Sequence, residues 1–208
     1  MVTTTANILV VDDAWINRTQ VNATYLSAGN DDMMVMTSSV VTKYDSTNTA
    51  LTGGVNTYDP TAYNSIQGVS LFRYDITSIA GGSSIDSAIL HIYGGGSIMQ
   101  AAAVFVYPIT NYTWNKATVT WNNQPAHSST IGKLNVFRNT LGTLASNINN
   151  DYGNKWQTLD ITAYVRTQFT AGAKAEIMLV PDTGYTFNTS FKSSKHVNKS
   201  YITVTSTL

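Results

Sequence analysis

Val69-Ser-Leu-Phe-Arg-Tyr-Asp-Ile76 and Ile85-Asp-Ser-Ala-Ile-Leu-His-Ile-Tyr93 decide the fold class. In an extended chain successive side chains point to opposite faces. The first stretch then sets Leu71 and Arg73 on one face and Phe72, Tyr74 and Ile76 on the other. The second sets Ala88, Leu90 and Ile92 on one face, with Ser87, Ile89, His91 and Tyr93 opposite. Period two with β-branched and aromatic residues predicts strands, and Gly94-Gly-Gly96 ends the second one.

Outward from this pair the same signal recurs. Residues 8–16 are apolar and β-rich, interrupted by Asp12-Asp13. Residues 33–36 follow the turn-like Gly29-Asn-Asp-Asp32, and strands are also predicted at 103–107, 118–121, 175–180 and 201–205. A short amphipathic helix fits 162–169, where Val165 and Phe169 stand four apart and Asp160 or Thr162 serves as cap. Many strands, frequent turns and at most one short helix predict an all-β fold. Its expected form is a two-layer antiparallel jelly-roll sandwich with long loops, as one domain over 1–208. The polar stretches 42–67 and 140–154 are longer than ordinary connections and are candidate binding or assembly elements.

Composition narrows the function. Charged residues make up 12% of the 208, acids and bases balance at twelve each, and cysteine is absent. An average soluble protein carries about 25% charged residues. A balanced, weakly charged chain lacks the basic field that nucleic-acid binding needs. Without cysteine there is no disulfide framework and no thiolate chemistry. The N-terminus shows no basic region followed by an apolar run, and no segment has the length of a membrane span.

Further along, Trp114-Asn-Lys-Ala-Thr-Val-Thr-Trp-Asn-Asn-Gln-Pro125 is the most distinctive segment. Together with Phe72-Arg-Tyr-Asp-Ile76, Ile85-Asp-Ser-Ala-Ile-Leu90, Leu159-Asp-Ile-Thr162, Phe191-Lys-Ser-Ser194, Tyr201-Ile-Thr-Val204 and Asp13-Ala-Trp-Ile16, it resembles the DNRLRE domain family over about 7–205. The resemblance implies a jelly-roll sandwich of cell-surface, adhesive and polysaccharide-acting proteins, some similar to carbohydrate-binding modules. Lys116 and Lys195 stand where that pattern has acids, Phe169 where it has tryptophan, and Ser200 where proline is common. These departures weaken transfer of an inherited ligand or calcium site and spare the strand positions.

Candidate ligand contacts are Trp114, Tyr112, Tyr58 and Tyr63, because aromatic rings offer flat apolar faces to sugars or to protein partners. For Trp114 and Trp121 the surrounding Thr and Val favour packing over stacking. Asn122-Asn-Gln-Pro125 reads as a turn whose Asn side chains bond backbone. Oxygen ligands for Ca2+ would come from Asp12 and Asp13 with Asp160, or from Asn30-Asp-Asp32. None has a diagnostic spacing, and Asp12 and Asp13 point to opposite faces of an extended chain. His91, His127 and His196 are too scattered for zinc. No cofactor is expected.

Enzymatic chemistry finds no constellation. A glycosidase needs two carboxylates across a cleft, and Glu176 is the sole glutamate, at the start of an apolar strand. No nucleophile elbow or phosphate loop occurs. The sequons at Asn17, Asn22, Asn111, Asn188 and Asn198 bear on glycosylation only in a secretory cell. The expected role is therefore a non-enzymatic surface module. Initiating Met1 and the absent signal favour a stand-alone virion-surface protein, a capsid decoration or fibre component forming a homo-oligomer, with a trimer expected. The alternative is a carbohydrate-binding or adhesive module of an extracellular, polysaccharide-acting or cell-surface protein.

Overall fold

A computed structural model of the chain describes residues 1–17, 32–37, 66–94, 102–110, 114–136, 155–181 and 188–208. Among these residues, ten strands and one α-helix form in the order β1 (Thr3–Asn17), β2 (Asp32–Thr37), β3 (Ile66–Tyr74), β4 (Ser84–Gly94), β5 (Ala102–Pro108), β6 (Gly132–Val136), β7 (Lys155–Asp160), α1 (Thr162–Thr170), β8 (Ala175–Pro181), β9 (Asn188–Lys192) and β10 (Tyr201–Thr207). The all-β architecture predicted from the alternation is the one that forms. Every strand pairing among the described residues is antiparallel.

The longest strand shapes the molecule. The first half of β1 pairs with β10, from Thr3↔Thr207 to Leu9↔Tyr201. After an irregularity between Val10 and Asp12 its second half pairs with β3, from Asp12↔Arg73 to Asn17↔Gly68. Asp12-Asp13 therefore does not break the strand, and lies just past the place where it changes partner. A bulge bends and twists a strand in this way. One wall is the first half of β1 with β10, β4 and β7. The other is its second half with β3, β8, β5 and β6. On the far side β9 pairs with β2, which pairs with β3, and Gly94↔Phe191 joins β4 to β9, so the circuit of pairings closes.

Between the walls lies the main core. Ala88, Leu90 and Ile92 of β4 and Ile202 and Val204 of β10 meet Phe72 and Tyr74 of β3 and Ile177 and Leu179 of β8, with Tyr164 and Val165 of α1. The helix forms where expected. Asp160 Oδ1 accepts from the Thr162 backbone N–H at 2.9 Å and from its hydroxyl at 2.6 Å, supporting the first turn.

The second wall is buried on its other face as well. Ala14, Ile16, Val69, Leu71, Met178 and Val180 form a second cluster under Ile109, Trp114 and Val119. That explains why β8 is buried along its whole length and reads as a continuous apolar run. The cover departs from expectation at 118–121, where a strand was predicted. Those residues form a turn and the start of a 3-10 turn over Trp121–Asn123. Local side chains take the backbone groups a ladder would use. Asn115 Oδ1 accepts from Ala117 N, Asn123 Oδ1 from Thr120 N, and Asn123 Nδ2 donates to the Thr118 carbonyl.

Leu90 faces the main core and is fully buried. Leu90→Ala should lower stability by about 2–5 kcal/mol, read from the denaturant midpoint.

Candidate functional site

The sequence candidates fall in separate places. Tyr58, Tyr63, Tyr112 and Asn30 lie outside the described residues. Trp114 is 6% exposed, on the underside of the cover. Its indole N–H donates to Glu176 Oε2 at 2.7 Å. The Arg73 guanidinium lies 4.3 Å from the ring centroid, and its Nη2 also donates to the Trp114 carbonyl at 2.7 Å. A stacking platform needs an open ring face, and here the guanidinium occupies one face while burial encloses the rest.

Arg73 is the centre of this network. Its Nε donates to Glu176 Oε1 at 2.5 Å and its Nη1 to Asp12 Oδ2 at 3.0 Å. Both acids stand directly across from it in register, Asp12 on β1 and Glu176 on β8. Lys116, from the cover, pairs with Asp12 Oδ1 at 2.5 Å. Burial pushes the Asp12 carboxyl up, but the Lys116 and Arg73 partners outweigh it and hold the group below its ordinary value. Glu176, 1% exposed, also has its backbone N–H and carbonyl bonded by the Tyr164 hydroxyl. A groove of about 430 Å³ runs past this network, lined in part by Arg73, Trp114 and Lys174. The carboxylate that lines it, Glu176, is paired with the Arg73 guanidinium, which is the arrangement of a structural clamp.

The proposed calcium ligands are not gathered. Asp12 is held by Arg73 and Lys116. Asp13 is buried on the other face of β1, where its carboxylate accepts from the Ser194 backbone and hydroxyl. Asp160 supports the start of α1. Among the described residues no group of three or more His, Asp or Glu is placed to hold a metal ion.

An open aromatic surface lies on the first wall. Its outer face carries Trp156 on β7, opposite Tyr93 on β4, while Tyr201 on β10 stands opposite His91 on β4. Trp156 is 42% exposed. Its ring centroid is 5.3 Å from that of Tyr93 and 5.3 Å from that of Tyr201. His91 stacks on Tyr201 at 4.4 Å, and His196 lies against Tyr93 at 6.4 Å. Burial pushes the His91 imidazole below its ordinary value, so it is neutral at neutral pH. Its Nε2 sits 3.1 Å from the Thr203 hydroxyl, which donates to Asn7 Oδ1 at 2.9 Å. Beyond the rings, hydroxyls pair across β1 and β10, Thr5 with Thr205 and Thr3 with Thr207. The result is an aromatic patch continuous with a row of hydroxyls on a ladder of regular pairing.

Sequence reasoning missed this patch. Alternation placed His91 and Tyr93 on the polar side of β4, but Trp156 and Tyr201 join them only through strand register.

The model of carbohydrate-binding module family 96 matches residues 4–206, and the chain belongs to that family. No curated protein sequence matches it. The carbohydrate-binding kinship implied by the sequence pattern therefore stands, although the match does not carry the DNRLRE name.

The clamp makes two expectations. Glu176→Ala leaves Arg73 without its most buried partner and the Trp114 N–H without an acceptor. It should cost about 3–5 kcal/mol in unfolding experiments. The Asp12 carboxyl is lowered in the folded state, so its contribution is present above its unfolded value and lost as the pH falls through the folded one. Acid titration of stability should be shallower for Asp12→Asn than for the wild type, in and below the ordinary carboxylate range.

Proposed function

We propose that this family 96 module binds a polysaccharide on the outer face of the wall β7–β4–β10–β1. Trp156, Tyr93 and Tyr201 supply the stacking surface, and Thr158, Thr203 and Asn7 supply hydrogen-bonding groups beside it. The observation that carries this is the half-exposed Trp156, held upright between two tyrosines on a regular ladder. A sugar ring has an apolar C–H face and a rim of hydroxyls, and aromatic faces flanked by small polar groups complement both. On the opposite wall the cover closes the outer face over β3 and β8.

On this reading the chain binds without turnover. Its sole glutamate is locked in the clamp. No described helix is long and apolar enough to cross a membrane. The module is proposed to act outside the cell or on its surface, as carbohydrate-binding modules commonly do. Family membership backs this alternative over the virion-surface role, which no observation on the fold favours.

Trp156→Ala tests the proposal. The side chain is exposed, so the unfolding midpoint should change little. Affinity for the bound polysaccharide, measured by affinity electrophoresis, should fall about tenfold or more. Unchanged retention would remove Trp156 from the site.

A further inference from the structure

The first half of β1 leaves one side of its backbone unused. Val2 and Leu208 exchange both backbone hydrogen bonds, at 3.0 and 3.1 Å, and the Val10 N–H donates to the Ser200 carbonyl at 3.0 Å. Between these points the register is unbroken, from Thr3↔Thr207 to Leu9↔Tyr201. In an antiparallel ladder successive residues turn their N–H and C=O groups to alternate sides. Val2, Thr4, Ala6 and Ile8 therefore bond toward β10, and Thr3, Thr5 and Asn7 turn theirs away from it. Among the described residues no strand pairs on that side before Val10, where β3 takes over. Residues 1–7 are all exposed.

An open edge can pair with another chain, and proteins usually guard it with charge, proline or a bulge. This one has no such guard. Residues 1–11 hold no charged side chain and no proline, and Thr3-Thr-Thr5 lines the edge with β-branched residues. The guards begin where the free edge ends. The irregularity follows Val10, and Asp12-Asp13 lies in the half that β3 covers. The edge also complements a second copy of itself. Antiparallel pairing about a two-fold axis at Thr5 sets Thr5 against its own counterpart and Thr3 against Asn7 of the other copy. All three outward-turned residues then gain partners, and no like charges meet. The Thr5–Thr205 hydroxyl pair, at 3.1 Å on the outer face, continues across the axis. A contact of this kind uses both edges and closes at two copies.

We propose that the first half of β1 is the interface of a symmetric dimer, in which the free edges of two copies pair antiparallel through residues 3–7. The two first walls become one sheet, running β7, β4, β10, β1 and then the same strands of the second copy in reverse. Residues opposite one another in an antiparallel pair share a face. Both outer faces, and both Trp156 patches, therefore point the same way. The pairing stands apart from the glycan-binding reading. Joined to it, the dimer presents two copies of the site to one polysaccharide, which strengthens binding without a new contact.

Sedimentation equilibrium of the full chain without glycan tests this, between about 1 μM and about 1 mM. One strand edge makes a small interface, so dimers should form toward the upper part of that range. Thr5→Lys and Thr5→Glu each set like charges against each other at the axis, on an exposed side chain. Each should weaken dimerisation about tenfold or more. An equal mixture of the two variants should restore the dimer, which misfolded chains could not do. Trp156→Ala should dimerise as the wild type does. A monomer at every concentration, a trimer, a dimer indifferent to both charges, no rescue in the mixture, or loss of the dimer in Trp156→Ala would overturn the edge interface. None of these results bears on glycan binding by the outer face, which the retention of Trp156→Ala tests separately.

Discussion

Arg73 is a cation on a strand whose other face is the main core, and one whole side of the molecule is arranged to keep it paired. Leaving a buried guanidinium without partners would be strongly unfavourable. Its partners come from three places far apart in the chain: Asp12 on β1, Glu176 on β8 and the Trp114 carbonyl in the cover. Because Asp12, Arg73 and Glu176 stand opposite one another, the ion pairs favour one register for three strands at once. A slip of one residue would turn Leu71 and Phe72 to the wrong faces as well as separating the charges. The same guanidinium holds Trp114 and with it the cover. Lys116, a departure from the resembled family pattern, finds its place by pairing with Asp12.

That constraint closes one face of the molecule and leaves another open. With the cover pinned down, β3 and β8 are buried on both faces, and the most distinctive tryptophan of the sequence becomes an interior post. The wall across the core has no such lid over its described residues, and its outer side keeps tyrosine, tryptophan, threonine and asparagine in contact with water. A closed circuit of strands gives that face a fixed shape, so for the proposed glycan the rings and hydroxyls would already be in position, which lowers the ordering cost of binding.

Much of the architecture was legible in the sequence because it rests on alternation. Phe72 and Tyr74 against Leu71 and Arg73, and Leu90 against His91, sorted onto their faces by spacing alone. So did the helix at 162–170, through Val165, although Ile161 rather than Asp160 or Thr162 stands at its N-cap. What escaped was set by other forces. β7 reads poorly because Gln157 occupies an inward position, where its amide donates to the Gly94 carbonyl at 3.1 Å. The strand expected at 118–121 gave way to asparagine side chains bonding their own backbone. The aromatic patch was out of reach because Tyr93, Trp156 and Tyr201 are strangers in sequence and neighbours only by register. The abundance of tyrosine pointed instead to Tyr58, Tyr63 and Tyr112.

On the proposed reading the glycan lies on the open face of one wall, and the clamped cover serves as scaffold. Backbone amide shifts during titration with a bound polysaccharide fragment test it most directly. The largest changes are expected on β7, β4 and β10 around residues 89–93, 156–160 and 201–203, with the 114–131 segment quiet. Changes concentrated instead around Arg73, Trp114 and Lys174 would contradict it and place the ligand in the groove beside the clamp.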